Sequence, residues 1–433
     1  MQIAVIGSGV SGLVSAWLLS KSHAVTLYEA DDRLGGHVHT HQLLLKGRGY
    51  CVDSGFIVHN PLNYPLFSRL LDELGVASQP TSMSFSVRNE NTGLEYNAGS
   101  WDQLFCQRQN LTSPRFYRMI FDLLRFHREA RELLRTDDPG PTLEEYLRQR
   151  GFGAAFRDDH LVPMASALWS APGSRILDFP ARYLVQFMAN HRMLQVADRP
   201  IWYVVRGGSA QYVKALRSRW SVVERLRSAV RSVRRDGGHV ELTTDNGRER
   251  FDQVVLACHS DQAAALLTDA SEQERDILGA IPYQQNEAIL HTDSAVLPLN
   301  RRAWAAWNAF VPVHDSSRCR ISYYMNLLQG LDAPAPLIVT LNGAQDIDAK
   351  KVLRTMRYAH PVYNHSSVAA RARKAEIQGS RRTWFAGAYW GWGFHEDGMR
   401  SAVEVADALG VRWPSGGRGS TDPWPATAHW EAS

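Results

Sequence analysis

Residues 2–30 read QIAVIGSGVSGLVSAWLLSKSHAVTLYEA, and the hydrophobic pattern changes character twice along them. Ile3 to Ile6 make a short unbroken apolar run, the signature of a strand covered on both faces. A glycine loop follows, then a helical stretch from Ser11, then a second strand-like run ending at Glu29. The whole reads as a strand, loop, helix, strand unit, the opening of a parallel, doubly wound α/β sheet. Gly7, Gly9 and Gly12 stand at GxGxxG spacing between strand and helix, and each has a task. Gly7 permits the tight turn, Gly9 lets backbone approach a pyrophosphate, and Gly12 lets helix and strand pack closely. Val10 and Ser11 fall in the first helical turn, where unpaired N–H groups and the helix dipole attract phosphate. Glu29 closes the second strand about twenty residues beyond the central glycine, the spacing of an acid that accepts ribose hydroxyls, with Ala30 beside it. An acid there repels a 2′-phosphate, which disfavours NADP.

The rest of the composition sets limits. The 433 residues are 44% hydrophobic and 21% charged, enough to bury cores in two domains. Lys and Arg number 48 against 44 Asp and Glu, so no nucleic-acid partner is expected. Cys51, Cys106, Cys258 and Cys319 form no CxxC pair, which suggests neither a disulfide framework nor a thiolate metal site. The chain opens directly on a strand, and no apolar run approaches the roughly 20 residues of a membrane span. A reducing, cytoplasmic location is the expectation.

Further along, Phe116, Met119, Ile120, Leu123, Leu124 and Leu134 recur at helical spacing among six arginines, predicting an amphipathic helix over 114–135. TLEEYLRQRG predicts another helix, whereas 156–202 has no clean period. RGGSAQYVKALRSRW reads as a glycine turn and helix, 230–258 as strands joined by glycine turns, and 286–345 as strands. A helix closes the chain after HEDG. The expected division is discontinuous: 1–75, 205–285 and 380–413 bind the dinucleotide, 76–204 and 286–379 form a substrate or cap domain, and 414–433 is a loose tail.

Two features choose FAD over NAD: RLGG at Arg33 to Gly36 directly after the second strand, and DSGF at Asp53 to Phe56, both supplying donors where an extended dinucleotide continues. With these residues the chain resembles the flavin-containing amine oxidase, protoporphyrinogen oxidase and phytoene desaturase superfamily. The resemblance implies a Rossmann-like FAD-binding domain of glutathione-reductase type, with an inserted substrate domain of mixed sheet and helices. It implies phosphate contact by Arg33, flavin contact by Gly35, Gly36, Gly55 and Phe56, and adenine contact by the backbone of Val230. Gly387 would face the pyrophosphate or ribityl chain. His37 stands where many members have arginine, and Ala388 where many have an acid. Asp397, Gly398 and Met399, opening the last helix, would contact the flavin pyrimidine. AILHTD, IVTLN, HPVYNH and GAYWGWGFHEDG together look similar to bacterial FAD-dependent oxidoreductases found beside cyclopropane fatty acid synthases and related lipid methyltransferases. That association implies a lipid substrate and a lipid methyltransferase as partner.

Tyr389, Trp390, Trp392, Phe394 and His395 lie in one segment expected beside the flavin ring, where aromatic walls exclude water; ordinary core packing is the alternative for each. Tyr389, Trp392 and His395 are the catalytic candidates, His395 as general acid or base because imidazole titrates near neutrality. His37, His39 and His41 alternate at strand spacing, yet no acidic or thiol partner accompanies them, so no metal is expected. No covalent flavin tether is recognisable. The leading function is hydride abstraction from a C–H bond of a hydrophobic, fatty-acyl substrate, giving a desaturase, dehydrogenase or oxidase. The alternatives are amine oxidation, double-bond isomerisation, and a non-catalytic FAD-binding partner of a methyltransferase. The arginine-rich helix can either lie on anionic headgroups at the inner face of the membrane or leave its arginines solvated.

Overall fold

The computed structural model describes residues 1–313 and 319–413; the expected tail at 414–433 lies outside the described residues. The opening unit folds as β1 (Gln2–Ile6), α1 (Val10–Leu19) and β2 (Ala24–Tyr28). β3 (Val222–Arg225), β4 (Gln253–Leu256) and β5 (Thr383–Phe385) complete a five-stranded sheet in the order β3-β2-β1-β4-β5. Every pairing is parallel, with Val5 opposite Leu27 on one side and Val255 on the other. This is the strand order of a dinucleotide fold, and ligands bind at the carboxyl ends where the order reverses, between β1 and β4.

All ten residues of α1 are buried. The helix lies between the sheet and α5 (His395–Ala408), where Met399, Ala402, Val405 and Ala406 meet Leu13, Val14 and Trp17 in one core. A Cβ at Gly12 would fall 1.8 Å from the Gly7 carbonyl oxygen, so α1 approaches β1 as closely as it does only because Gly12 has no side chain.

A second, seven-stranded sheet runs in the order 352–361, 283–291, 338–341, 320–324, 307–311, 85–89, 94–97. Its pairings are antiparallel except that between Trp307–Val311 and Phe85–Asn89. A helical lobe packs beside it. α3 (Pro114–Glu129) starts on a Ser113 cap and continues as a tighter turn over Ala130–Leu134. The helix at Leu143–Gln149 carries the capping box legible in TLEE, with Thr142 and Glu145 each bonding the other's backbone. The stretch without a clean period proves helical at Val162–Trp169, Gly173–Leu177 and Ala181–Asn190. Most of these residues are buried, so no polar stripe marks a helical period. Among the described residues no helix is long and apolar enough to cross a membrane.

α3 uses part of its arginine array internally. Arg115 pairs with Asp159 at 2.8 Å, and Arg118 and Arg125 both pair with the fully buried Asp122, at 3.1 and 3.4 Å. Three of the arginines therefore hold the lobe together, and what α3 shows to solvent includes Tyr117, Phe121 and Leu124.

Candidate functional site

One cavity of about 1780 Å³ runs from the glycine loop through the molecule into the helical lobe. That exceeds the roughly 300–1,000 Å³ of an ordinary ligand pocket, and it is large enough for a dinucleotide and a second molecule together. Its two ends are built differently.

The first end gathers Gly7, Ser8, Gly9, Val10, Ser11, Glu29, Ala30, Arg33, Gly35, Gly36, His37, Gly55, Phe56, Val230 and Gly387 on one wall. Gly9 has extended backbone (φ −62°, ψ 178°), and a Cβ there would meet nothing within 4 Å. The open side of Gly9 faces the cavity, where a phosphate can come against the N–H groups of α1. No carboxylate occupies the first turn of that helix to compete. Gly36, at φ +56°, closes over the loop: its own Cβ would stand 3.0 Å from the Gly9 Cα. Arg33 shapes this turn by donating to the carbonyls of Val38 at 3.0 Å and Gly36 at 2.8 Å. Guanidinium has five N–H donors, so further ones remain for an anion.

Glu29 accepts three hydrogen bonds, from Ser8 N and Ser8 Oγ on one oxygen and from Asp31 N on the other. A carboxylate offers about four acceptor positions. Glu29 therefore pins the glycine loop to β2 and keeps one position for a ribose hydroxyl. His37 Nε2 is a buried ring nitrogen on the cavity wall with no hydrogen-bond partner among the described residues. The open Gly9, the donor-rich helix start, the acid at Glu29 and the unpartnered His37 suit the adenylate, pyrophosphate and ribityl parts of FAD.

Several expected contacts fall elsewhere. Gly12 serves the α1–β1 packing and is off the wall. Asp397 turns back on its own helix start, accepting from Trp392 N at 2.9 Å and Phe394 N at 3.0 Å, with Arg400 at 3.0 Å. Gly398 backs onto α1, its carbonyl accepting from Ser11 Oγ, and Met399 is fully buried in the core. Gly398 and Met399 hold α5 against α1, Asp397 caps α5, and none of the three lines the cavity. Trp392 likewise leaves the wall: it packs into the helical lobe near Tyr183 and Phe187. Tyr389 and His395 do line the cavity.

His395 is not the near-neutral acid or base its residue type suggests. Burial drives its pKa down to about 3, with the His59 charge adding to the effect. Its Nε2 shares a 2.9 Å hydrogen bond with the Tyr212 hydroxyl of α4 (Ala210–Arg217), and its ring stacks on Phe56 at 3.7 Å. It stands as a neutral, fixed wall.

The structure also brings His37 together with residues that sequence reasoning passed over. His37 stacks on Tyr358 and lies 5.1 Å from His360, with His259 at 6.2 Å. Burial lowers all three imidazoles, His37 well below its usual range and His360 to about 4. His39 and His41 form a separate pair at 3.9 Å, so the three alternating histidines do not share one face. Among the described residues no cluster of His, Cys, Asp and Glu is arranged for a metal. Asp53, from the DSGF segment, is wholly buried and caps α4 through Ser209 N and Oγ, while also accepting from Thr40 and from Gln329 after the short helix Met325–Leu328. Burial raises its carboxyl to about 6. Glu396 accepts from the N–H groups of Leu66 and Phe67, capping α2 (Pro65–Leu74), and burial raises it to about 7. The acid in DSGF and the serine after two glycines were signals for the first of these joints. No local pattern announced the second.

The other end of the cavity is a chamber lined by Phe85, Met119, Ile120, Leu123, Met164, Leu168, Phe187, Trp307 and Tyr323, among others. His127, His160 and His191 are its buried polar groups, all neutral because burial lowers them, to about 4, 3 and 4. Joined to a dinucleotide site, a mostly apolar chamber can hold a hydrophobic molecule against a redox ring.

A family model described as flavin containing amine oxidoreductase matches residues 10–302. A tryptophan 2-monooxygenase of Allorhizobium ampelinum (strain ATCC BAA-846 / DSM 112012 / S4) is 35% identical over 104 residues, 23% of this chain and 14% of that protein. An L-amino-acid oxidase of Siganus canaliculatus is 22% identical over 324 residues, 70% of this chain and 58% of that protein. The chain thus spans less than two thirds of the length of either curated relative. Among solved structures, the CLA-producing fatty acid isomerase from P. acnes superposes with a TM-score of 0.65 at 17% identity, covering 94% of this chain and 97% of that one. At that identity the likeness shows the shared fold.

Proposed function

Because this chain belongs to the flavin containing amine oxidoreductase family, an FAD-dependent oxidoreductase family, we propose that it abstracts hydride from a C–H bond of a hydrophobic, fatty-acyl type substrate. The observation that carries this reading is the continuity of the cavity, which joins the glycine loop directly to the apolar chamber. FAD supplies the hydride acceptor when bound. Gly9 and the start of α1 would receive its phosphates, Glu29 its adenosine ribose, and the turn from Gly35 to His37 the middle of the molecule.

The chain's own contribution is positioning and the exclusion of water. Phe56 and His395, stacked face to face, line the cavity together with Tyr389. Tyr212 keeps the His395 ring from rotating. Hydride loss to the flavin leaves a substrate cation that must also shed a proton, and the neutral imidazoles of His127, His160 and His191 are the chamber groups able to accept it. Double-bond isomerisation, in which hydride is taken and returned, is a second reading favoured by the same apolar chamber. Supply of substrate from a membrane surface is consistent with the exposed Tyr117, Phe121 and Leu124 on α3. A lipid methyltransferase partner rests on the family resemblance and is tested by co-purification.

Anaerobic mixing of the holoprotein with long-chain fatty acids and with primary amines tests the reading. Lasting bleaching of the flavin band by the fatty acids supports oxidation, and product without lasting bleaching supports isomerisation. Bleaching by amines alone overturns both.

A further inference from the structure

Charge is distributed unevenly along the cavity. Its acidic lining residues, Glu29, Asp31 and Asp261, all belong to the nucleotide end. The described cavity lining carries three arginines: Arg33 at the nucleotide end, Arg357 next to the Tyr358 that stacks on His37, and Arg199 between the chamber residues Val196 and Ile201. Arg199 sits in the solvent-exposed segment before the strand Trp202–Val205, and its Nε donates to the Gln195 carbonyl at 3.3 Å. Among the described residues its two terminal nitrogens bond nothing, and it joins no ion pair. Elsewhere this chain pairs its arginines readily, as α3 shows with Asp122 and Asp159.

The surroundings of Arg199 identify the mouth. Trp101, Leu124, Val196 and Ile201 line the same cavity, yet they are 77%, 52%, 70% and 65% exposed. An apolar rim open to water, with an unpaired guanidinium among it, leads into a chamber of hydrocarbon side chains. Burial, helped by the fields of Arg199 and Arg131 at His127 and of Arg199 at His160, keeps both imidazoles uncharged.

We infer that the chamber takes a single-chain amphiphile with an anionic head, its carboxylate or phosphate held at the mouth by Arg199 and its tail lying along the apolar wall. This rests on the function proposed above and narrows it: a cationic amine would meet a guanidinium at the entrance and no carboxylate inside. Arginine suits the task because its planar fork matches two oxygens at once.

The test uses the holoprotein, with Arg199→Leu and Arg199→Lys variants, and follows binding by tryptophan fluorescence, since Trp101, Trp202 and Trp307 line the cavity. The probes are dodecanoate, dodecyl phosphate, dodecanol and dodecylamine. The better anion is expected to bind wild type about tenfold tighter than dodecanol, with dodecylamine no tighter than dodecanol. Arg199→Leu should erase that advantage while leaving dodecanol within about twofold, and Arg199→Lys should keep part of it. Which anion binds tighter identifies the head group. Dodecylamine binding tightest, equal binding of all four probes, or an anionic advantage that survives Arg199→Leu each overturns the inference and leaves the apolar chamber standing. Failure of all four probes to bind overturns the hydrophobic-substrate reading itself.

Discussion

The two ends of the cavity are made of different material. The nucleotide end is largely backbone: glycines at 7, 9, 35, 36, 55 and 387, with a helix start between them, all on the wall. The chamber is largely side chain, contributed by segments as distant as Phe85, Leu168 and Trp307. A backbone site recognises what every dinucleotide shares, its phosphates. A side-chain site can be reshaped by substitution without disturbing the sheet, and this is where members of one family can diverge in substrate.

That contrast predicts graded responses. The largest belongs to Gly12→Val: with the Gly7 carbonyl oxygen 1.8 Å from any Cβ, α1 cannot stay on β1. Soluble, flavin-bearing protein should be lost, as read by yield and absorbance; a yellow, well-folded variant would refute the packing argument.

Next comes the joint at Glu396, which ties α5 to α2. Its folded pKa, about 7, lies above the 4.5 of a free glutamate, so the folded state holds the proton more tightly. The stabilising contribution is full below pH 4.5 and is lost as pH rises through about 7. The linked change is on the order of 3 kcal/mol. Urea unfolding at pH 5 and pH 8 should show wild type losing stability, with Glu396→Gln losing less. Asp53, raised to about 6, titrates in the same sense and leaves a residual slope.

Gly9→Ala sharpens the comparison most cleanly, because a methyl group there touches no protein atom. The melting temperature of the apoprotein should be unchanged. FAD affinity should fall by about 2 kcal/mol, roughly 30-fold, because the methyl occupies the phosphate's approach. Unchanged affinity by flavin titration would move the phosphate site elsewhere. Smallest is Leu168→Trp in the chamber, expected to lower kcat/KM for a long-chain substrate by about 1 kcal/mol, roughly fivefold, at constant flavin content. Lost flavin would mean that the two ends are not separable.

Much of the nucleotide end was legible because its determinants are local. A tight turn, a close helix and an acid closing the next strand are constraints among residues within one β-α-β unit, and chain connectivity alone brings them together. Legibility ended where neighbouring residues part company. Tyr389 and Trp392 sit three apart in one aromatic run, yet Tyr389 lines the cavity and Trp392 packs into the helical lobe. Glu396 and Asp397 are adjacent, yet one caps α2 and the other its own helix. His395 carries the pKa of its surroundings, and those come from Phe56, Tyr212 and His59, far away along the chain.

Local order in the chain was thus sufficient for the parallel sheet, the phosphate loop and the choice of FAD, since steric and dipolar requirements of a turn act over a few residues. The chamber, its mouth at Arg199 and the buried joints at Asp53 and Glu396 came only with folding. They depend on burial, which raises or lowers a pKa and empties or fills a space according to what distant segments pack alongside.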